Sequence, residues 1–215
     1  MLKLLITGYS GFVGSHLVDA VKHDYQLALL GRKPSSSVGT VFTHNLDDSS
    51  LYSDALESVN VVIHCAARVH IMNDDSVDPL AEFRSVNVTG TLNLAKQAAE
   101  AGVKRFIFLS SIKVNGESTT KKAAYTAFDK SAAEDPYGIS KAEAEQELLA
   151  LGQETGMDIV IIRPPLVYGE GVKANFASLM GFVGKGLPLP FRCIKNNKRS
   201  LVSVYNLVDL IKVCI

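Results

Sequence analysis

The sequence predicts an α/β protein built on a doubly wound parallel sheet, and three observations lead to this prediction. Short apolar runs that suit buried strands alternate with patterns that suit helices along most of the chain. Of the 215 residues, 47% are apolar, which is enough for a sizeable core. The first apolar run leads directly into a glycine-rich turn and then into a helical pattern.

Six strands of the main sheet are expected in chain order, with helices between them, and residues 199–204 are predicted to form a further strand. The strands are predicted at residues 2–7, 26–30, 41–44, 60–67, 105–109 and 158–162. The first helix is predicted to end near residue 22, and the others lie at 51–59, 79–102, 136–155, 175–184 and from 206 onward. Asp135 followed by Pro136 is a strong helix-start signal, and Gly156 marks the end of that helix.

The glycine-rich turn has the spacing TGxxGxxG, with glycines at 8, 11 and 14. One glycine permits the tight turn, one lets the backbone approach a pyrophosphate, and one lets the helix pack closely on the strand. The helix N-terminus adds unpaired N–H groups and a partial positive charge. The turn therefore predicts dinucleotide binding; the alternative is a strand–helix turn without a ligand. The residues assigned to this contact are Gly8, Ser10, Gly11, Phe12, Val13 and Gly14.

The second predicted strand ends in Gly31, Arg32 and Lys33. NAD-specific sites place an acidic residue near this point, where it binds the ribose 2′-hydroxyl. No acid stands here, and arginine suits a 2′-phosphate, so the sequence favours NADP over NAD without excluding NAD. The alternative is that both cations are solvated surface charges.

The fourth predicted strand ends in the small residues Ala66 and Ala67. Small side chains there would let a flat ring lie against the backbone, although ordinary tight packing explains them equally well. His64, within the same strand, is predicted to be a core histidine. His70, Asp74 and Asp75 lack any metal-ligand spacing, so no metal site is predicted.

Two serines and a tyrosine–lysine pair follow the fifth predicted strand. Ser110 and Ser111 come directly after it, where doubly wound sheets bind ligands. Tyr137 and Lys141 are four residues apart and therefore share a helix face. The pair alone means little, but its position after the serine strand and the glycine-rich turn indicates a catalytic group.

Charge and cysteine content exclude several classes of function. Lys and Arg number 22, as do Asp and Glu, so nothing indicates a nucleic acid or an anionic membrane as partner. No apolar stretch approaches the ~20 residues that span a bilayer. The three cysteines, Cys65, Cys193 and Cys214, show neither metal nor disulfide spacing, which suits a reducing cytoplasm.

The ordered segments TGYSGFVG, HCAA, NVTGT, LSSIKVNGE, YGISK and RPPLVYG resemble the NAD-dependent epimerase/dehydratase family. These are extended short-chain dehydrogenases/reductases that act on nucleotide sugars. The resemblance covers nearly the whole chain and is strongest to sugar 4-epimerases and 4-keto-sugar reductases, between which it does not choose. It implies a Rossmann-type sheet, hydride transfer at a sugar carbon and proton transfer at the attached oxygen.

The resemblance also implies roles for individual residues. Tyr137 would be the general acid/base, Lys141 would hold the nicotinamide ribose, and Ser111, rather than Ser110, would hydrogen-bond the sugar oxygen. Because a tyrosine pKa of about 10 is too high for a base, the Lys141 cation and the oxidised nicotinamide are expected to lower it. Further cofactor contacts would come from Asn45, Leu46, Ala66, Ala67, Asn87 and Pro164, and substrate contacts from Lys113, Asn175 and Arg199.

Three observations bear on which function the resemblance supports. Asn45 stands where relatives place an Asp beside the adenine. A dehydratase is disfavoured, because Ile112 and Lys113 occupy the positions of the Asp–Glu pair that dehydratases place after the serine equivalent. The remaining alternative is a cofactor-binding regulatory protein without turnover, but relatives of that kind lose the Tyr and Lys that this chain keeps.

The resemblance also predicts organisation and assembly. Residues 1–163 would form the NAD(P)-binding domain and residues 164–215 the start of a substrate lobe. The last helix carries an apolar stripe at Leu207, Leu210, Ile211 and Cys214, so we expect a truncated form whose missing segment would cover it. Such a form would bind NADP(H) with little turnover. Pairing through the helices that begin near Pro79 and Pro136 would give a homodimer.

Overall fold

A computed structural model describes residues 1–34, 38–69, 78–119, 123–172, 180–186 and 198–215. Its main sheet has six parallel strands in the order β3-β2-β1-β4-β5-β6. The strands are β1 Lys3–Thr7, β2 Gln26–Gly31, β3 Thr40–Thr43, β4 Val61–His64, β5 Arg105–Leu109 and β6 Asp158–Ile162. All six predicted strands are present, and the predicted fold class is confirmed.

Helices cover both faces of this sheet, as a doubly wound fold requires. The helices whose full extent is described are α1 Phe12–Val21, α2 Ser53–Leu56, α3 Pro79–Arg84, α4 Thr91–Glu100, α5 Pro136–Thr155 and α6 Val204–Cys214, and residues 180–184 are helical as well. Helices α2, α4 and α5 pack on one face and α1 and α6 on the other. Each face of the sheet therefore has its own hydrophobic core. Successive residues of β1 point to opposite faces, so Leu5 packs with the first set of helices while Leu4 and Ile6 pack with the second.

The long helix predicted at 79–102 is interrupted by a π-helical turn. Helix α3 continues into π-helical residues Ser85–Gly90 and then into α4, and the backbone stays right-handed at both junctions. Asn87 lies within this π-helical turn, and its side chain is buried. A methyl on Gly90 would lie 2.6 Å from the backbone of Leu46, so only glycine fits where the turn crosses the loop after β3.

Part of the apolar stripe of helix α6 is covered by this chain itself, and the expectation that a further segment would cover the stripe stays a prediction. Leu207 and Ile211 are buried against the sheet of this same chain, while Leu210 is 49% exposed. Strands β7 (Leu166–Tyr168) and β8 (Leu201–Ser203) form a separate two-stranded parallel sheet before α6. The domain boundary at residue 163 stays a prediction. Within the described ranges, no helix has both the length and the apolar character needed to cross a membrane.

Candidate active site

A cleft of about 2160 Å³ runs along the carboxyl ends of the main-sheet strands. It is lined by residues that follow each of the six strands, and most predicted site residues are among them: Gly8, Ser10, Gly11, Phe12, Val13, Gly14, Arg32, Asn45, Leu46, Ala66, Ala67, Ser111, Lys113, Tyr137, Lys141, Pro164 and Arg199. Lys33 and Asn87 do not line it. Asn175, together with His70, Asp74, Asp75 and Cys193, lies outside the described residues.

The glycine-rich turn is sterically built for backbone approach. Gly8 has φ of +66°, and a methyl there would lie 2.6 Å from the Ala66 nitrogen. A methyl on Gly14 would lie 2.2 Å from the Gly8 carbonyl oxygen. Gly11 is the N-cap of α1 and has no side chain to cap the helix, and the residues of the first helical turn line the cleft. The turn can therefore accept a phosphate.

Arg32 and Lys33 behave differently at the end of β2. Arg32 is exposed and lines the cleft. The Lys33 carbonyl instead accepts a hydrogen bond of 2.9 Å from the Tyr9 hydroxyl, and Lys33 does not line the cleft. Of the two predicted cations, the structure brings only Arg32 to the candidate site.

Beneath the ends of β1 and β4, a buried histidine connects three segments. His64 is fully buried, with Nδ1 2.9 Å from Thr7 Oγ1 and Nε2 3.0 Å from Thr91 Oγ1. Thr7 Oγ1 also accepts a bond of 3.2 Å from the Ala66 nitrogen. Burial lowers the His64 pKa to about 3, so the ring is neutral at ordinary pH. The predicted core histidine is confirmed, and it fixes the backbone of the small-residue segment.

Asn87 acts from below the cleft rather than within it. Its Oδ1 accepts from the Arg68 nitrogen at 2.8 Å, and its Nδ2 donates to the Arg68 carbonyl and to Ser140 Oγ, each at 3.0 Å. These bonds occupy the side chain. The structure therefore places Asn87 as a tie between the segment after β4 and helix α5.

The two serines after β5 face different surroundings. Ser110 is 3% exposed, and its hydroxyl donates to Glu145 Oε1 at 2.5 Å. Ser111 is half-buried, lines the cleft, and its Oγ accepts from the Lys113 nitrogen at 3.3 Å. Lys113 Nζ forms ion pairs with Asp135 and, at 3.1 Å, with Glu117. Both serines line the cleft, but Ser111 is the more exposed of the two and the Ser110 hydroxyl is already bonded to Glu145.

Tyr137 lies in the first turn of α5, which Asp135 caps by accepting from the Gly138 nitrogen at 2.6 Å. Its ring meets the edge of Phe83 with centroids 6.1 Å apart. Burial, and then the Asp135 carboxylate, raise the Tyr137 pKa to about 12, while Lys113 opposes this shift. The phenol is therefore protonated at neutral pH in the protein alone.

Lys141 is 1% exposed beneath the cleft. Its Nζ donates to the Leu109 carbonyl at 2.9 Å and lies 4.3 Å from the Phe108 ring centroid. Burial lowers its pKa to about 7, and Cys65 and Glu145 oppose that shift. The expectation that Lys141 lowers the Tyr137 pKa is not met in the protein alone, because burial dominates both groups and Lys113 is the cation acting on Tyr137.

The sequence did not reveal an ion pair below the serines, in which Glu145 is buried and Arg163 is half-buried. Arg163 donates to Glu145 through Nε, at 2.9 and 3.0 Å, and through Nη2, at 2.5 Å. Arg163 Nη1 also donates to Asn115 Oδ1 at 3.2 Å. One available signal was Glu145 itself, which follows Lys141 by four residues and so shares its helix face.

Several known proteins resemble this chain over nearly all of its length. Residues 4–213 match the profile of the NAD dependent epimerase/dehydratase family. A Vibrio cholerae protein named UDP-glucose 4-epimerase is 52% identical over 217 residues, covering 99% of this chain and 66% of that protein. An Escherichia coli O157:H7 protein named N-acetyl-alpha-D-glucosaminyl-diphospho-ditrans,octacis-undecaprenol 4-epimerase is 29% identical, covering 98% and 62%. The chain thus spans about two thirds or less of the length of these relatives.

A solved structure shows the same fold. The UDP-glucose 4-epimerase of Thermotoga maritima, crystallised with UDP-glucose, superposes with a TM-score of 0.83 at 24% identity. The match covers 100% of this chain and 73% of that one.

Proposed function

Because the chain belongs to the NAD-dependent epimerase/dehydratase family, we propose that it epimerises a nucleotide sugar at carbon 4. One observation carries the proposal: Ser111, Tyr137 and Lys141 line the same cleft as the glycine-rich turn. The relative at 52% identity, named a UDP-glucose 4-epimerase, supports a UDP-hexose as the substrate.

The cleft fits a nicotinamide dinucleotide. Backbone atoms already occupy the space that a methyl on Gly8 or Gly14 would need, so the turn is closely packed on that side. A pyrophosphate would bind at the other side of the turn, which faces the cleft. When bound, the dinucleotide supplies the acceptor and donor of a hydride. Arg32 would contact the adenosine ribose, and its cation favours the 2′-phosphate of NADP over NAD.

The protein's own groups would manage the proton and the orientation of the sugar. Tyr137, once deprotonated, would take the proton of the carbon-4 hydroxyl as that carbon is oxidised, and would return it to the keto oxygen when the carbon is reduced again. Ser111 would hydrogen-bond the same oxygen, and Lys141 would hold the nicotinamide ribose. Since burial raises the Tyr137 pKa, Tyr137 needs an added positive charge nearby before it can act as a base.

The diphosphate and sugar would meet basic and polar groups at the rim of the cleft. Lys113 and Arg199 line it, and we assign both to substrate binding together with Asn175. Asn45, Leu46, Ala66, Ala67 and Pro164 would surround the two ring ends of the cofactor.

A 4-keto-sugar reductase is the second candidate, favoured by Arg32 at the end of β2. A reductase consumes reduced cofactor, and NADPH is the usual carrier for such reactions, whereas an epimerase regenerates its own cofactor. A dehydratase remains disfavoured, because Ile112 and Lys113 supply no acid–base pair after Ser111. A regulatory protein without turnover is disfavoured by the presence of Tyr137 and Lys141.

We also propose that the protein acts as a homodimer in the cytoplasm. Helices α3 and α5, which begin at Pro79 and Pro136, lie side by side, and Leu149 of α5 is 48% exposed. The described cysteines Cys65 and Cys214 are free thiols, as a reducing compartment allows. A monomeric mass in light scattering at tens of micromolar would argue against the dimer.

The test is to offer the protein UDP-glucose with NAD⁺ or NADP⁺, and the corresponding 4-keto sugar with NADPH or NADH. Epimerase activity gives the 4-epimer by NMR with no net change in cofactor. Reductase activity gives stoichiometric loss of reduced cofactor. Cofactor binding without either product supports the regulatory alternative, and no cofactor binding refutes the proposal.

A further inference from the structure

Tyr9 is a buried residue of the glycine-rich turn that the proposed chemistry does not use. Its side chain is 3% exposed and does not line the cleft, although its neighbours Gly8 and Ser10 do. A buried tyrosine usually directs its hydroxyl to a hydrogen-bond partner. Here that partner lies beyond the end of β2, so one side chain joins the glycine-rich turn to the segment that follows the second strand.

Two contacts connect Tyr9 to the residues on either side of Arg32. The Tyr9 hydroxyl donates to the Lys33 carbonyl at 2.9 Å. The Tyr9 ring covers Gly31 so closely that a methyl on Gly31 would lie 2.8 Å from Tyr9 Cε1. The ring and the hydroxyl therefore hold the backbone immediately before and immediately after Arg32.

The segment that carries Arg32 has few other ties. Main-chain hydrogen bonds fix β2 as far as its last residue, Gly31, whose carbonyl accepts from the His44 nitrogen at 3.1 Å. Among the described residues, the bond from Tyr9 is the one hydrogen bond made to residues 32–34. No acidic side chain in the described part of the chain forms an ion pair with Arg32. The position of Arg32 therefore depends on the contacts of Tyr9.

We propose that Tyr9 is a positioning residue that sets the choice between NADP and NAD by fixing the segment that carries Arg32. This role rests on the proposed function, in which Arg32 contacts the adenosine ribose. A guanidinium binds a phosphate through directed hydrogen bonds, so the strength of that contact depends on where the backbone places the side chain. The 2′-hydroxyl of NAD carries no charge and gains less from the same placement. Tyr9 should therefore affect the affinity for NADPH more than the affinity for NADH.

Tyr9→Phe tests this role, because it keeps the ring over Gly31 and removes only the hydroxyl. Fluorescence titration with each reduced cofactor should show the affinity for NADPH falling about fivefold, as expected for one lost hydrogen bond. The affinity for NADH should change less than about twofold. An equal loss for both cofactors would show a merely structural role and overturn the proposal.

Tyr52→Phe is the matched control for the loss of a buried hydroxyl. Tyr52 is fully buried, and its hydroxyl donates to the Asn45 carbonyl at 2.8 Å on the loop after β3. This variant should leave the ratio of the NADPH and NADH affinities unchanged. A change of ratio as large as that in Tyr9→Phe would show that any lost tyrosine hydroxyl has this effect, and would refute the specific role of Tyr9.

A double-variant cycle shows whether Tyr9 acts through Arg32. In an Arg32→Ala background the guanidinium is absent, so adding Tyr9→Phe should no longer change the affinity for NADPH. The same loss of about fivefold in both backgrounds would contradict a role exerted through Arg32.

Limited trypsin digestion without cofactor separates the role of Tyr9 from the proposed function. Trypsin cleaves after Arg32, whereas the bond after Lys33 resists it because Pro34 follows. Since cleavage follows the population of the locally opened segment, Tyr9→Phe should release fragment 1–32 about fivefold faster than wild type, as measured by mass spectrometry. Tyr52→Phe should release it at the wild-type rate.

The two measurements can fail independently. If wild type binds neither reduced cofactor, or binds both equally, the proposed contact of Arg32 with a 2′-phosphate fails, while the digestion still decides whether Tyr9 holds this segment. Equal cleavage rates after Arg32 in wild type and Tyr9→Phe would overturn the inference whatever the cofactor affinities.

Discussion

Replacing Gly14 with alanine tests whether the glycine-rich turn is sterically closed. The added methyl would lie 2.2 Å from the Gly8 oxygen, 2.8 Å from the Gly8 carbonyl carbon and 2.9 Å from Tyr9 Cα, where contacts under 3.0 Å essentially never occur. All three atoms belong to the backbone, so no side chain can rotate away. Helix α1 must therefore move away from the turn.

The magnitude follows from this overlap. Overpacking a core costs about 1–3 kcal/mol even where side chains can adjust, so a backbone clash should cost about 3 kcal/mol or more. For a chain of this size, that lowers Tm by about 6–12 °C. Because the displaced helix N-terminus is the proposed phosphate site, the affinity for reduced nicotinamide dinucleotide should fall at least about tenfold.

Thermal melting and fluorescence titration measure the two effects. Gly181→Ala is the matched control, since Gly181 is helical and a methyl there meets no described atom within 4 Å. It should be neutral or slightly stabilising, because alanine has the higher helix propensity. If Gly14→Ala melts and binds cofactor as wild type does, the steric account of the turn is wrong.

Three further variants address the proposed chemistry. Tyr137→Phe keeps the ring and removes the proton, so turnover should fall by about 10²-fold or more with cofactor affinity nearly unchanged; near-wild-type turnover would refute the assignment. Arg32→Asp should reverse a preference for NADPH over NADH by repelling the 2′-phosphate, and calorimetry giving equal affinities in both proteins would contradict it. Lys141→Met tests how stability depends on pH. Burial lowers the Lys141 pKa from 10.5 to about 7 in the folded protein. Between these two values the unfolded chain holds a proton that the folded chain has released. The contribution of Lys141 to stability therefore rises with pH between about pH 7 and 10.5. The gain in Tm of Lys141→Met over wild type should be largest below about pH 7 and should shrink as the pH rises. A difference in Tm that does not change with pH would contradict this account.

The fold was predictable because its signals are local. Each strand is a short apolar run, and the start of α5 is marked by Asp135 and Pro136 in both sequence and structure. The π-helical turn was not predictable from the apolar periodicity, and the close approach of its Gly90 to Leu46 joins residues far apart in sequence. The burial of Leu207 and Ile211 is also a long-range result, since periodicity reveals an apolar face but not its partner.

The candidate site divides in the same way. The glycine-rich turn, Ser111 and the Tyr137–Lys141 spacing could be found because each residue lies in a recognisable local pattern. The pairing of Glu145 with Arg163 joins α5 to the end of β6, and no spacing rule connects these positions. The pKa shifts of Tyr137 and Lys141 could not be predicted from the sequence either, because burial in the folded protein sets the direction of both.

The buried polar residues form hydrogen-bond networks beneath the cleft. Among the described residues these are Thr7, His64, Asn87, Thr91, Ser110, Asn115, Ser140, Lys141 and Glu145, and every one takes part in the hydrogen bonds beneath the cleft. A buried polar group left without a partner costs about 1–3 kcal/mol, so each network is stable only when all its members are in place. Replacing His64, Asn87 or Glu145 would therefore break bonds that join several segments at once, and the rigidity that these bonds give suits the proposed transfer of hydride and proton at one sugar carbon.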